Sequence, residues 1–288
     1  MRPFTYARPD TLADAVALLA ERGPDARVLA GGTDLIIRLR DGSVRPALVV
    51  DVKRVSELAP GIRVDDAGTL VIGATTTMTE LAAHPLVRRD VAALSEAAAV
   101  VGSVQIRNRA TLGGNLCNAS PAADTAPSLL VHGAVVVAAG PGGFRRIVLD
   151  DFFIRSGVTT LAPGELMVAV EIPPAVSRIA SAHQRRTRRR GHDLASVTLA
   201  CGVDASGTTR IAYGSVGPRP LLRVDTTGVL ADPVADDALK AGVFEAMFAD
   251  ASPSARSMRA GPDYRLAMLR VLGRRALATA LDRLAAGE

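Results

Sequence analysis

The chain has 288 residues, with 34 Lys and Arg against 29 Asp and Glu; 48% of its residues are hydrophobic and 22% charged, a globular balance large enough for two or three modules. Aromatic residues are only 3% and Trp is absent, so the core must be built from Leu, Val, Ile and Ala, and a stacked platform for nucleic-acid bases is disfavoured. Cys117 and Cys201 form no CxxC pair that could cradle zinc or an iron–sulfur cluster, the first residues lack the apolar core of a secretory signal, and no apolar run reaches the ~18 residues of a membrane span; the simplest expectation is a reduced, cytoplasmic protein with no membrane span.

In chain order, Asp10 or Thr11 can cap a helix starting near Leu12, whose Leu12, Ala15, Val16, Leu19 and Ala20 share one face. Gly23-Pro24-Asp25 ends it, and 27–30 is a short strand running into Gly31-Gly32-Thr33-Asp34. Strands follow at 48–52, after 58–63 and at 69–74, then a helix from about Met78 behind Thr75 to Thr77. One apolar helix is expected over 87–101. After the glycine-rich stretch come 129–131, a strand at 134–138, a hairpin or loop at 140–143, apolar residues at 147–149 and 152–153, and a strand at 166–172 closed by Pro173-Pro174. Composition changes there, which sets the domain boundary. Beyond it, strands are expected at 195–201 and 210–216, a helix at 236–249 and an amphipathic helix at 264–284. The strand–turn–helix rhythm indicates an α+β or α/β chain.

The stretch Arg107 to Pro127, RNRATLGGNLCNASPAADTAP, stands out. Gly113, Gly114, Asn115, Asn118 and Pro121 all disfavour a regular helix, so an ordered turn is expected. With Ala30 to Asp34 it makes two diglycine turns, either ordinary turns or backbone-amide nests for a phosphate group. Neither has Gly-x-Gly-x-x-Gly spacing, and neither is followed by Gly-Lys-Ser/Thr, so a Rossmann fingerprint and a Walker A loop are excluded. The run 183–192, HQRRTRRRGH, holds five arginines and reads as a solvated face, a partner contact or, much less well, a nucleic-acid patch. For Cys117 and Met78 a packing role is expected; Asp51 is expected at the surface, and His84 and His132 at loop or strand ends.

The pair AGGTDL and TLGGN followed by ASPAAD, with SVGPRPLL at 215–222, resembles the FAD-binding medium subunit of the molybdenum hydroxylases, including aerobic carbon monoxide dehydrogenase and the FAD domain of xanthine dehydrogenases. The resemblance covers nearly the whole chain. It implies an α+β fold: a two-lobed FAD-binding domain of the PCMH/vanillyl-alcohol-oxidase-like type over 1–174 (lobes 1–55 and 56–174), then a CO dehydrogenase flavoprotein-like domain over 175–288. It implies that Leu29, Ala30, Gly31, Gly32, Thr33, Asp34 and Leu35 surround the pyrophosphate, that Thr111, Gly113, Gly114 and Asn115 form a second phosphate-contacting turn with Ala119 beyond, that Asp124 bonds near the sugar or ribityl portion, and that Val101 lies close to the isoalloxazine ring. Arg185, Arg188 and His192 become candidates for the flavin side or a subunit interface; His183, Arg185 and Arg186 stand where the family commonly has an aromatic residue, a lysine and an apolar residue. The implied role is electron transfer, with no catalytic residue and no metal ligand in this chain. The molybdenum cofactor sits in a large subunit and two [2Fe-2S] clusters in a small one, in a heterotrimer that can double. A stand-alone FAD oxidoreductase and a flavin-free structural or nucleic-acid-binding module are the alternatives.

Overall fold

The computed structural model describes residues 2–59, 61–175 and 178–287. The first unit comprises β1 (Thr5–Ala7), α1 (Leu12–Arg22), β2 (Ala26–Leu29), α2 (Leu35–Asp41) and β3 (Leu48–Asp51). Its parallel sheet has the order β1-β3-β2. Thr11 caps α1 by accepting the Asp14 N–H, and Leu12, Ala15, Val16 and Leu19 form the buried face. That face packs on Val137, Ala139, Leu166 and Val168 of the next unit, so the two lobes share a hydrophobic core. Asp51 is buried, bonded by the Tyr6 hydroxyl at 2.5 Å and by Lys53 Nζ at 2.6 Å, against the surface placement expected for it.

The second unit runs through β4 (Ile62–Val64), β5 (Leu70–Gly73), α3 (Met78–Ala83), α4 (Pro85–Asp90), α5 (Ala92–Ala99), α6 (Val104–Arg107), α7 (Leu112–Cys117), α8 (Thr125–Leu130), β6 (Val135–Gly140), β7 (Gly143–Val148), α9 (Leu149–Phe152), β8 (Phe153–Arg155), β9 (Val158–Thr159) and β10 (Leu166–Ile172). Pro60, in the approach to β4, lies outside the described residues. The five-stranded sheet is β4-β5-β10-β6-β7. Thr77 and Glu80 complete a reciprocal capping box on α3, and Met78 is fully buried behind it. The single helix expected over 87–101 is two, because Val91 takes φ −140° and ψ 52° and breaks the ladder between α4 and α5.

The third unit is β11 (Ile179–Arg186), β12 (Val197–Asp204), β13 (Thr209–Gly214), β14 (Leu221–Asp225), α10 (Asp237–Phe248) and α11 (Pro262–Ala286), with the antiparallel order β11-β12-β13-β14. One sheet face buries Leu199, Cys201, Ile211 and Tyr213 against Phe244, Phe248, Leu269 and Leu272 of the two helices. The other contributes Ala200 and Ala212 to the core around α5 and α8, which therefore lie between the second and third sheets. Polar stitches close this junction. Ser181 on β11 takes the Ala93 N–H and meets His132 Nε2 at 2.9 Å, and Glu96 on α5 takes the His183 N–H at 2.8 Å while pairing with Arg283 of α11. His132 lies in the turn between α8 and β6, as expected, and is also a buried junction residue; burial pushes its pKa down to about 4, so it is neutral at pH 7. None of the described helices is long and apolar enough to cross a membrane.

Candidate functional site

A cleft of ≈ 650 Å³ opens where the three units meet, within the size range of small-molecule sites. Its first wall is the loop between β2 and α2. The backbone amides of Gly31, Gly32, Thr33, Asp34 and Leu35 find no acceptor among the described residues, and Gly32 has φ +78°, a conformation that costs glycine nothing. A row of free N–H groups running into a helix start attracts anions. Asp34 and Arg38 are tied to the opposite wall through Asn118, at 3.3 and 2.7 Å.

The second wall departs from expectation. The stretch 107–127 is not one irregular turn: α7 passes through both glycines, capped by Thr111, whose side chain accepts the Gly114 N–H. Tertiary packing overrides glycine's poor helix propensity here. A Cβ on Gly113 would stand 2.9 Å from Ala74 Cβ and from Ala74 O, so only glycine lets α7 lie against the end of β5. The N–H groups of this turn are also already bonded: Leu112 to Thr76 O, Gly113 to Ala74 O, Asn115 to Thr111 O. This wall therefore offers shape and side chains, while the first offers free amides. The two glycine turns touch, since the carbonyl oxygen of Arg109 lies 2.0 Å from where a Cβ of Gly31 would be.

Asp124, also in the cleft lining, is buried at the start of α8. Its Oδ2 accepts from Arg185 Nη1 at 2.7 Å. Its Oδ1 is buried with no hydrogen-bond partner, because His183 Nε2 at 3.6 Å is too far and is engaged with Thr198. Arg185 is anchored on the Val100 carbonyl as well. Asp193 also lines the cleft, and the Arg188 guanidinium bonded to it holds its carboxyl well below the usual range.

Ala30 to Leu35, Val101, Thr111, Gly113 to Asn115, Asp124, Arg185 and His192 all line this one cleft. Leu29, Ala119 and Arg188 do not. Leu29 ends β2 beneath the loop, Ala119 is buried at φ +45° and shapes the turn before Asp124, and Arg188 reaches the site only through Asp193. Cys117, expected in a packing role, lies on the cleft wall. Sequence reasoning missed Ala122, Ala123, Leu161, Met167, Asp193 and Leu194 as lining residues. Of these only Asp193 carried a signal, as the lone acid closing an arginine run.

The arrangement defines a class: a nucleotide-sized cleft between two small lobes, closed by a third unit, lined by free amides and by an unpartnered buried carboxylate oxygen. Comparisons with known proteins agree. Residues 2–175 match the FAD binding domain in molybdopterin dehydrogenase, and residues 182–280 match the CO dehydrogenase flavoprotein C-terminal domain. The chain is similar to the xanthine dehydrogenase FAD-binding subunit of Escherichia coli O157:H7, 33% identical over 284 residues with 96% of each chain covered, and to the carbon monoxide dehydrogenase medium chain of Hydrogenophaga pseudoflava, 33% identical over 287 residues with 98% of each covered. It superposes on a chain of the Cu,Mo-CO dehydrogenase in its cyanide-inactivated form with a TM-score of 0.90 at 31% identity, covering 98% of this chain and 100% of that one. The chain belongs to the family of FAD-binding, electron-transferring subunits of the molybdenum hydroxylases. Its residues fit FAD: the amide row suits the pyrophosphate, the glycines leave the walls low, and Asp124 Oδ1 is a buried acceptor awaiting a donor.

Proposed function

We propose that the cleft holds FAD non-covalently, the amides of Gly31 to Leu35 taking the pyrophosphate, Thr111 and Gly113 to Asn115 flanking it, and Asp124 accepting a hydroxyl of the ribityl or ribose portion. The observation that carries this reading is the lone buried oxygen of Asp124, in the same cleft as the row of free amides. Val101 supplies an apolar wall for the ring, and Arg185 and His192 stand on the flavin side. Arg185 fixes the Asp124 carboxylate, so that one oxygen is held by the protein and the other is left for the ligand. When bound, FAD supplies the ability to take up electrons singly and release them in pairs. This chain's part is to bind and orient the cofactor and to limit solvent around it.

On this reading the fold of the first two lobes is of the PCMH/vanillyl-alcohol-oxidase-like type. The protein works in the cytoplasm within a heterotrimer, doubled into a dimer of trimers, beside a molybdenum-binding large subunit and a [2Fe-2S] small subunit. Electrons from the iron–sulfur clusters leave through this chain to an external acceptor, and substrate is oxidised in the large subunit. The identity of the relatives along nearly the whole chain supports that assignment.

Gly114→Val tests the placement of the cofactor. Apart from Thr111 Oγ1 at 2.9 Å, nothing lies within 4 Å of a Cβ at this position, so the rest of a valine side chain projects into the cleft. Purified Gly114→Val should lose its flavin while the third unit, with its separate core, stays folded by circular dichroism. Full flavin retention in this variant would place the cofactor elsewhere.

A further inference from the structure

Beside the cleft lies a basic surface with apolar side chains set into it. Residues 178–287 carry 17 Arg and Lys against 10 Asp and Glu, so the positive excess of the whole chain resides in the third unit. Two segments, 186–194 and 256–264, bring much of it to one place. Arg186 Nε donates to the Tyr264 hydroxyl at 2.7 Å, and Arg259 Nη1 donates to the Ala195 carbonyl at 3.0 Å. Part of the arginine run is neutralised within the chain: Arg185 pairs with Asp124 and Arg188 with Asp193. Arg189 rests on the His192 carbonyl, and the guanidinium groups of Arg190 and Arg256 find no acceptor among the described residues. Met258 is 94% exposed, Leu194 57% and Tyr264 41%. His192, Asp193 and Leu194 also line the cleft, so this surface is continuous with the cleft mouth.

We propose that this surface docks the external electron acceptor, and that the acceptor is a carrier protein with an acidic face. The proposal rests on the FAD reading above. Arginine, methionine and tyrosine are the residue types enriched at protein interfaces, and arginine and tyrosine are the usual anchors. Permanent subunit interfaces are more hydrophobic, whereas transient redox encounters are small, charged and steered by electrostatics. A charged rim with three separated apolar contacts matches the transient kind. The electron count closes simply: each two-electron-reduced flavin reduces two one-electron carriers, and two protons go to solvent.

The test uses a pair of acceptors that differ in charge and share one redox centre, native basic cytochrome c and its succinylated acidic derivative. Binding is measured on the full chain with and without FAD, and again on the assembled complex. Succinylated cytochrome c should bind both forms of the chain and the complex, with affinity falling as salt rises, and the native protein should bind at least about tenfold more weakly. Arg190→Glu with Arg256→Glu should reverse that preference while flavin content and reduction of a neutral benzoquinone stay unchanged. Equal binding of the two cytochromes, or a preference untouched by the charge reversal, would overturn the proposal. So would loss of binding on assembly, which would make the surface a subunit interface. Binding without FAD separates the two readings: loss of charge-selective binding with FAD in place would defeat the docking proposal alone, whereas an empty cleft would defeat the flavin reading and the acceptor role that rests on it.

Discussion

Gly31→Ala should strip the chain of FAD and lower its stability, the largest effect expected of any single methyl group. The added Cβ would stand 2.0 Å from the Arg109 carbonyl oxygen, 2.8 Å from its carbon and 3.1 Å from Ala110 Cα. All three are backbone atoms of the facing lobe, so no side chain can swing away to relieve the clash. The lobes must part or the β2–α2 loop must move, and either change disperses the row of free amides. Overpacking of this kind costs about 1–3 kcal/mol or more. The check is flavin absorbance per chain together with a thermal melt. A Gly31→Ala protein with wild-type flavin content and an unchanged melting temperature would show that the loops do not meet as described.

Asp124→Asn should fold and still bind FAD poorly. The exchange keeps the size of the side chain, and Arg185 retains the Val100 carbonyl at 2.8 Å and the Asp193 carbonyl at 3.3 Å. What is lost is the charge and one acceptor oxygen. A hydrogen bond to a charged group contributes about 1.5–3 kcal/mol, so the Kd for FAD should rise about 10- to 100-fold. Asp124→Ala should also destabilise the protein, because it leaves the Arg185 guanidinium largely buried without its carboxylate, a loss of about 3–5 kcal/mol for a buried pair. Titrating each variant with FAD and melting it without FAD separates the two effects. An Asp124→Asn protein with unaltered affinity would reduce Asp124 to an anchor for Arg185.

Much of this site was legible in the residues. The two glycine turns and Asp124, brought together by the resemblance, line one cleft. Thr11, Thr77 and Asp236 cap helices at or beside the positions expected for them. What escaped depends on tertiary contact. Gly113 and Gly114 sit in a helix because β5 leaves room for nothing larger at Gly113 and Thr111 caps its start. The break at Val91 lies inside an apolar, alanine-rich run with no proline or glycine to mark it. Strand β11 was hidden because its inward residues include Ser181 and His183, which meet α5 through hydrogen bonds and so blur the period-two pattern. The arginine run looked uniform in sequence, yet its members divide between the cleft, an ion pair and free solvent according to which acid each reaches.

The central claim is that this cleft binds FAD through the amide row of Gly31 to Leu35 together with Asp124. Titration of the flavin-free full chain with FAD, FMN and ADP, followed by calorimetry, tests it most directly. FAD should bind at one per chain and be released intact on denaturation, with FMN binding far more weakly because it lacks the second phosphate and the adenosine, and ADP because it lacks the ribityl chain and the ring. FMN binding as tightly as FAD, or no saturable binding of FAD, would contradict the account.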